Sequence, residues 1–430
     1  MTPQPPTGAA PRPVQLALAW REGRIVPLAA AVEREQLALA AAVGPGGLGP
    51  LERRWGPGVV LGSGGSRGGG ASGRRWCLLP LERLQASAAA TGQWLEGLGI
   101  DPAACLHLNP LPLHHVSGLL PWLRARQWGA AHRRLAPAWM RQPALLAEAA
   151  PLPRHRPVLL SLVPTQLQRL LDHPAGEDWL RRLALIWVGG APLPPELAAR
   201  ARAAGLPLAP CYGATETAAM VTALAPGRFL AGAAGCGQPL PGVELRLAAG
   251  GALELRCGRL SPGWLEAGRL RPLPLDRRGW WPSGDAGRLG PEGLELLGRL
   301  DGAIHTGGET VFPEQLEQRL LAAAAAAGLP LQAVLLLAVP DREWGQRLVA
   351  LVRPRPAAKA AERSAVLLAG LEQLVARWAP AERPRRWLLC PALAPSALGK
   401  WQRGHWQRWL QALEAGHTLG DASADEHLQR

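Results

Sequence analysis

Apolar runs of strand length alternate with helical segments through most of the first 298 residues of the chain. Residues 157–163, 183–188 and 207–211 are three such runs, and a proline-initiated helix or a glycine-containing turn follows each of them. Continuous apolar runs of this length are typical of strands buried on both faces, and helices cover such a sheet in layers. The alternation therefore predicts an α/β fold.

Two changes of pattern divide the rest of the chain. From residue 235 short strands with glycine and proline turns predict a small β-rich subdomain. The polar turn 299–302 then precedes a helix, two strands and a second helix, which predict a small α+β lid. Because a turn between domains concentrates backbone freedom, it suits a hinge. We therefore predict four segments. A large N-terminal domain with a short first part covers residues 1–298, a hinge covers 299–302, a lid covers 303–415, and a frayed tail covers 416–430.

The net charge of +14 raises the question of nucleic-acid binding. The 47 basic residues are spread along the chain, and no zinc-finger, helix-turn-helix or RNA-binding signature accompanies them. An arginine-rich coding bias explains this charge better, so nucleic-acid binding remains a distant alternative. Only Lys359 and Lys400 are lysines. In such a chain, a lysine near the C-terminus indicates a requirement that arginine does not meet.

The opening residues contain no charged segment followed by an apolar one, so no signal peptide is expected. No apolar run has the length of a membrane span. The six cysteines are scattered and form no C-x-x-C pair, which argues against a zinc site or a disulfide scaffold. These features predict a cytoplasmic protein, and they leave its oligomeric state open.

A glycine- and serine-rich stretch, residues 62–75, follows the strand-like run 59–61. Its backbone N–H groups can surround a triphosphate, and its candidate phosphate contacts are Ser63, Gly64, Gly65 and Ser66. The stretch contains neither the Walker A motif nor the dinucleotide fingerprint. A flexible linker is the alternative interpretation.

Other candidate residues follow predicted strands. Gly190 and Ala191 lie where an open sheet lets a ligand approach the backbone, although a tight turn fits them equally well. In Tyr212–Thr217, the aromatic ring can stack on adenine, Thr215 can bind phosphate, and Glu216 can bind Mg²⁺. Gly213 belongs to the same motif. Asp285 can accept bonds from two ribose hydroxyls, and Arg299 can donate to ribose or phosphate.

Four blocks, in this order, resemble the adenylate-forming superfamily of acyl-CoA synthetases, luciferases and peptide-synthetase adenylation domains: residues 212–217, 283–285, 298–313 and 399–400. The resemblance extends from about residue 59 to about residue 403. It implies ATP, Mg²⁺ and CoA as ligands, a small carboxylic acid as substrate, and a two-step ligase reaction. It also implies roles for individual residues: Lys400, Glu216 and His115 in catalysis, with Glu216 as the metal ligand and His115 in the acyl pocket, Asp301 as the hinge, and Gly307 and Gly308 on the CoA side.

The resemblance is most detailed toward one branch. Residues 161–172, 112–118 and 307–313 are similar to the o-succinylbenzoate–CoA ligases of menaquinone and phylloquinone biosynthesis. The chain departs from the superfamily at residues 62–75, where added glycines and Arg74-Arg75 replace the usual ending in lysine. A different aryl- or acyl-CoA synthetase, or a stand-alone adenylation enzyme, is the nearer alternative. ATP binding compared with salt-dependent nucleic-acid binding would separate these enzymes from a basic binding protein.

Overall fold

The computed structural model describes residues 13–63, 75–355, 360–395 and 401–414. Its helices are α1 (Pro13–Arg21), α2 (Glu33–Val43), α3 (Gly49–Trp55), α4 (Leu81–Glu96), α5 (Val116–Trp128), α6 (Pro143–Ala149), α7 (Pro164–Leu171), α8 (Pro174–Arg181), α9 (Pro195–Ala203), α10 (Pro226–Leu230), α11 (Pro313–Ala326), α12 (Ala360–Val375) and α13 (Arg403–Glu414). Its strands are β1 (Ile25–Leu28), β2 (Gly58–Ser63), β3 (Arg75–Pro80), β4 (Leu106–Asn109), β5 (Ala131–Arg134), β6 (Val158–Leu162), β7 (Leu185–Val188), β8 (Leu208–Ala214), β9 (Ala219–Ala223), β10 (Gln238–Pro239), β11 (Val243–Leu247), β12 (Ala252–Cys257), β13 (Gly263–Glu266), β14 (Arg269–Pro272), β15 (Trp281–Gly290), β16 (Gly293–Arg299), β17 (Ile304–Thr306), β18 (Glu309–Val311), β19 (Leu331–Asp341), β20 (Gly345–Pro354) and β21 (Arg386–Leu389).

A seven-stranded sheet in the order β10-β9-β8-β7-β6-β4-β5 is the centre of the fold. Strands β8, β7, β6, β4 and β5 are parallel, and β9 and β10 extend the sheet antiparallel. Two separate apolar cores lie against it, one containing residues of α4 and α5 and the other containing residues of α7, α8 and α9. The predicted α/β fold is confirmed, and the three apolar runs form β6, β7 and β8.

The predicted β-rich region contains the antiparallel sheet β11-β12-β15-β16. Strands β13 and β14 do not belong to it, because they join β1, β2 and β3 in a five-stranded sheet. Before residue 58 the structure has the helices α1, α2 and α3 and the strand β1. Pro27 in β1 is tolerated because β1 is an edge strand that pairs only with β2.

After residue 303 the elements have their own apolar cores. Strands β19 and β20 form a long antiparallel hairpin, β21 pairs parallel to β20, and α11, α12 and α13 pack against this sheet. The predicted helix, two strands and second helix of this region are present as α11, β19, β20 and α12. The predicted tail, residues 416–430, and the glycine-rich segment 64–74 lie outside the described residues.

A buried ion-pair cluster joins α13 to α11. The Arg403 guanidinium donates to both Glu317 carboxylate oxygens, at 2.9 and 2.8 Å, to Glu314 Oε1 at 3.2 Å, and to the Leu336 carbonyl at 2.8 Å. Burial raises the pKa of Glu317 to about 7, while the adjacent guanidinium opposes that rise. This cluster holds the start of α13 in place.

Replacing Arg403 by methionine should therefore leave a buried carboxylate unpaired. We expect Arg403→Met to lower the free energy of unfolding by about 3–5 kcal/mol, measured by urea denaturation. The matched control is Arg408→Met, which changes an exposed arginine on the same helix and should cost about 0.5 kcal/mol or less. Equal stability of the two variants would contradict a stabilising role for the cluster.

Candidate functional site

Three of the sequence-predicted residues meet near the carboxyl end of β8, a strand of the central sheet. Tyr212, at the end of β8, donates its hydroxyl to Asp285 Oδ2 at 2.6 Å. Arg299 of β16 lies opposite Asp285 of β15 in the antiparallel register and donates to Asp285 Oδ1 at 3.3 Å. Residues from separate motifs thus form one hydrogen-bonded network.

The same network includes Asp301. This residue lies in the short 3-10 turn Leu300–Gly302, and its two carboxylate oxygens accept bonds from Arg299 Nε and Nη2 at 3.1 and 3.2 Å. Arg299 therefore bridges two carboxylates, one in β15 and one in the turn. Ser283 supports the arrangement, because its hydroxyl accepts a bond from the Asp285 N–H at 3.1 Å and donates to the Leu253 carbonyl at 2.9 Å.

Burial sets the electrostatics of this network. Desolvation raises the pKa of the Asp285 carboxyl, and the neighbouring Arg299 and Tyr212 hydrogen bonds partly offset that rise. Desolvation and the adjacent Asp285 charge also raise the pKa of the Tyr212 phenol well above its usual value. Tyr212 is therefore protonated at neutral pH and donates its hydrogen bond to Asp285.

These pKa directions give a test of the network. If Asp285 binds a ribose as the ionised carboxylate, ATP affinity should fall as the pH drops through its raised pKa. Tyr212→Phe keeps the ring but removes a donor to the carboxylate, so the pKa should rise further and the loss of ATP binding should begin at higher pH. ATP titrations over a pH series measure this shift, with Asp285→Asn as the variant that lacks the titrating group. A wild-type pH profile in Tyr212→Phe would exclude the proposed coupling.

Glu216 lies beside this network in the 3-10 turn Thr215–Thr217 and is only 8% exposed. Trp264 Nε1 donates to Glu216 Oε1 at 2.9 Å, and the Ser261 N–H donates to the Glu216 carbonyl at 2.7 Å. The turn is followed by Ala218 and Ala219, whose φ angles of +51° and +87° are rare for residues with a side chain. Such backbone strain is common where a functional side chain is held in place.

The Glu216 carboxylate fits a magnesium site in which the substrate phosphates and waters supply the other ligands. Magnesium is commonly bound by one or two carboxylates together with substrate phosphates and waters. Among the described residues no cluster of three metal-ligating side chains occurs. Trp264 fixes one carboxylate oxygen and no described donor occupies Oε2, so that oxygen is the candidate ligand atom.

The glycine-rich stretch begins and ends beside this turn. Ser63 and Arg75, the residues that flank the undescribed segment 64–74, are register partners in the β2–β3 hairpin. The Arg75 guanidinium lies 4.6 Å from the centroid of Trp264, the residue that binds Glu216. Ser63 is 2% exposed, and its hydroxyl has no described hydrogen-bond partner. Gly64, Gly65 and Ser66 themselves are not among the described residues.

The remaining sequence-predicted residues near Tyr212 follow β7 or lie in β8. Gly190 and Ala191 follow β7, and Gly190 has φ +83°. Gly213 lies opposite a bulge in β9, and an added Cβ would lie 2.1 Å from the Ala219 carbonyl oxygen. Gly213 therefore excludes a larger residue next to Tyr212.

The other sequence-predicted residues lie elsewhere. His115 precedes α5, with its ring centroid 4.5 Å from that of His114. Gly307 and Gly308 form the turn of the β17–β18 hairpin, and the Gly307 N–H donates to the Trp344 carbonyl at 3.0 Å. Within the described ranges, no hydrogen bond links this hairpin to the Tyr212–Asp285–Arg299 network. Lys400 falls outside those ranges.

Sequence reasoning missed a buried cation close to the site. Arg124 of α5 is 3% exposed, lies 5.3 Å from the centroid of Trp187 in β7, and forms no ion pair among the described residues. Its Nε atom is buried without a hydrogen-bond partner. Burial lowers its pKa to about 9, so it remains charged at neutral pH. The available signal was an arginine within the otherwise apolar helical segment 118–125.

A parallel sheet with a carboxylate and an aromatic ring at the carboxyl ends of its strands has the arrangement in which open α/β proteins bind their ligands. Comparisons identify the family. The sequence profile described as AMP-binding enzyme matches residues 83–255. The 2-succinylbenzoate–CoA ligase of Salmonella typhimurium is 33% identical over 304 residues, covering 70% of this chain and 60% of that protein. The corresponding Escherichia coli ligase is 32% identical over 71% of this chain and 60% of its own length.

Solved structures agree with this assignment. Wild-type E. coli MenE with a bound analogue of OSB-AMS has a TM-score of 0.57 and 27% identity, covering 82% of this chain and 69% of that chain. The o-succinylbenzoate CoA synthetase of Bacillus subtilis in complex with OSB-AMP has a TM-score of 0.65 at 22% identity, covering 81% and 68% of the two chains. The chain belongs to the AMP-binding, adenylate-forming superfamily. It spans 60% of the length of the first two curated relatives.

Proposed function

We propose that this protein is an ATP-dependent acid–CoA ligase that converts 2-succinylbenzoate to its CoA thioester in quinone biosynthesis. The observation that carries the proposal is the network in which Tyr212, Asp285 and Arg299, from separate motifs, meet at the sheet edge. The network has the acceptors and donors that an adenosine requires. The names of the curated relatives support the choice of acid.

In the first half-reaction, an oxygen of the acid attacks the α-phosphorus of ATP, and pyrophosphate leaves. Tyr212 and Asp285 hold the nucleotide, the first by stacking and the second through the ribose hydroxyls. Glu216 would hold Mg²⁺, which supplies positive charge to the phosphate oxygens as negative charge develops. We assign to Lys400 the bridge between the phosphate and the attacking carboxylate.

In the second half-reaction, the thiol sulfur of CoA attacks the acyl carbon, AMP leaves, and the thiol proton passes to solvent. This step requires that Lys400 leave and that the thiol gain access. We propose that residues 303–415 rotate as a lid about Asp301, bringing the Gly307–Gly308 turn to the CoA side. The separate apolar cores after residue 303 support such a unit.

The acid itself carries two carboxylates and a ketone, and only the aliphatic carboxylate is activated. The second carboxylate needs a cationic partner, because an unpaired buried carboxylate is very costly. Arg124 is a buried cation without a carboxylate partner among the described residues, and it lies against Trp187 near Gly189–Ala191. We propose it as that partner, with His115 also lining the acyl pocket.

The test is pyrophosphate exchange into ATP driven by a panel of carboxylic acids. We expect 2-succinylbenzoate to support exchange far better than benzoate or short and long fatty acids at fixed ATP. Addition of CoA should then yield the thioester and AMP. Preference for a fatty acid or for benzoate would move the chain to another branch of the superfamily. If none of the acids supports exchange, the ligase assignment is refuted.

The cellular setting is part of the same proposal. None of the six cysteines is disulfide-bonded, which supports a reducing cytoplasm. Within the described ranges, no helix combines the length and apolar character needed to cross a bilayer. We propose ATP, CoA and the acid as the partners and assign no role to nucleic acid.

A further inference from the structure

A cavity is formed by residues of two different sheets, the five-stranded sheet of β14 and the antiparallel sheet of β12, together with α3 and α4. Its volume is about 580 Å³, within the range of about 300–1,000 Å³ that is usual for small-molecule sites. Tyr212, Glu216, Asp285 and Arg299 are not among its described lining residues. The cavity is therefore separate from the nucleotide network.

The wall of this cavity is mostly apolar. Leu260 and Leu273 are buried, whereas Leu275 is 47% exposed. Most of the other apolar lining comes from Trp55, Pro262, Leu270 and Pro272. An exposed leucine beside a concave apolar wall leaves hydrophobic surface that a ligand can remove from water. The wall therefore favours a ligand with an apolar body.

The charged groups of the cavity have one sign. Three arginines, and no aspartate or glutamate, are among the described residues that line it. One of these arginines is already neutralised, because Arg256 Nε donates to Glu244 Oε1 at 2.8 Å. Arg54 lies over the Trp55 ring, with its Cζ atom 5.2 Å from the ring centroid, and forms no ion pair within the described ranges. The cavity therefore has positive charge that no described carboxylate in its wall balances.

Arg83 of α4 joins this charge to the apolar wall. Its Nη1 donates to the Leu260 carbonyl at 2.7 Å, and its side chain is 26% exposed. Among the described residues, its carboxylate contact is a long one, from Nε to Glu82 Oε1 at 3.4 Å, and the Glu82 side chain is 70% exposed. Exposed ion pairs of this kind are weak. The Arg83 guanidinium can therefore bind an anion that enters the cavity.

We infer that this cavity is a binding site for a small amphipathic monocarboxylate. Its apolar body would lie against the leucines and prolines of the wall, and its carboxylate would bind Arg83 beside Arg54. The inference goes beyond the proposed ligase function and does not depend on it, because the cavity contains none of the residues assigned to ATP or to the activated acid.

The test uses two fluorescent probes that differ only in the anionic group: 1-anilinonaphthalene-8-sulfonate, in which a sulfonate stands in for the carboxylate, and the neutral N-phenyl-1-naphthylamine. Both are titrated into the full chain in the presence of saturating ATP and Mg²⁺. We expect saturable binding of both probes, with the anionic probe bound more tightly. Decanoate should displace the anionic probe at lower concentration than decanol does, because only decanoate has a group for the guanidinium.

Two kinds of variant separate the charge from the cavity. Arg83→Met should weaken the anionic probe at least about tenfold and leave the neutral probe unchanged, whereas Arg83→Lys should retain part of the preference because it keeps the charge. Gly258→Trp should abolish binding of both probes. Gly258 lines the cavity, has no positive φ, and an added Cβ would meet no atom within 4 Å, so the tryptophan adds bulk without backbone strain.

The matched control is Gly46→Trp. Gly46 is also exposed, has no positive φ and has no atom within 4 Å of an added Cβ, but it does not line the cavity. This variant should bind both probes as the wild type does, and the unfolding midpoint of each variant establishes that it is folded.

Loss of both probes in Gly258→Trp, with selective loss of the anionic probe in Arg83→Met, supports the inference. Unchanged binding in folded Gly258→Trp overturns it, because the probes then bind elsewhere. Equal affinity of the wild type for the two probes, or failure of decanoate to displace the anionic one, overturns the assigned ligand class. None of these outcomes bears on the ligase assignment, which acid-dependent pyrophosphate exchange tests independently.

Discussion

Lys400→Ala should abolish the first half-reaction and spare the second. An ammonium group bridging the α-phosphate and the attacking carboxylate stabilises charge that develops only during adenylation. We expect acid-dependent pyrophosphate exchange to fall by about 100-fold to 1,000-fold. Attack of CoA on chemically synthesised acyl-adenylate should continue near the wild-type rate, because the lysine is not required once the adenylate exists.

Lys400→Arg is the matched variant for this prediction. Arginine preserves the charge but replaces a compact point charge by a planar fork, so it should also fail in exchange. The scarcity of lysine in the sequence supports this expectation, as arginine supplies almost every other basic position. A similar loss in both half-reactions, for either variant, would show that Lys400 does not have a step-specific role.

Asp301→Pro should spare the first half-reaction and block the second. Proline fixes φ near −65°, so a hinge at this position loses the rotation that the second step requires. Pyrophosphate exchange should persist, and formation of the CoA thioester from 2-succinylbenzoate should fall below detection. Both rates are measured on the same preparation.

The ion pair between Asp301 and Arg299 requires a separate control. Asp301→Ala removes the carboxylate and its contacts but leaves φ free, so it separates the loss of the side chain from the restriction of the backbone. We expect Asp301→Ala to retain thioester formation, while Asp301→Pro does not. If both variants lose both activities, Asp301 has a structural role and the hinge lies elsewhere.

The sequence predicted the layered α/β architecture because buried parallel strands such as β6, β7 and β8 are continuous apolar runs. It did not predict that β13 and β14 would join β1, β2 and β3, since strand pairing between distant segments is set by tertiary packing rather than by local pattern. The same limit explains the missed β1, a four-residue strand that contains Pro27.

The candidate site was predictable where a residue belongs to a motif. Tyr212, Asp285 and Arg299 were each identified from the sequence, and the structure brings them together. Their assigned roles remain predictions. Trp264 and Arg124 were not identified from the sequence. Trp264 contacts Glu216 across 48 residues of sequence, and Arg124 is distinguished only by its burial. An arginine in a chain rich in arginine gives no local sign that it will be buried without a partner.

The central claim is that the acid is activated by adenylation, and one isotope measurement tests it directly. When 2-succinylbenzoate labelled with heavy oxygen in its aliphatic carboxylate reacts with ATP and CoA, one labelled oxygen should appear in the phosphate of AMP. This follows because the carboxylate oxygen attacks the α-phosphorus and remains on it when CoA displaces AMP. Label in inorganic phosphate with formation of ADP, or AMP without label, would contradict the account.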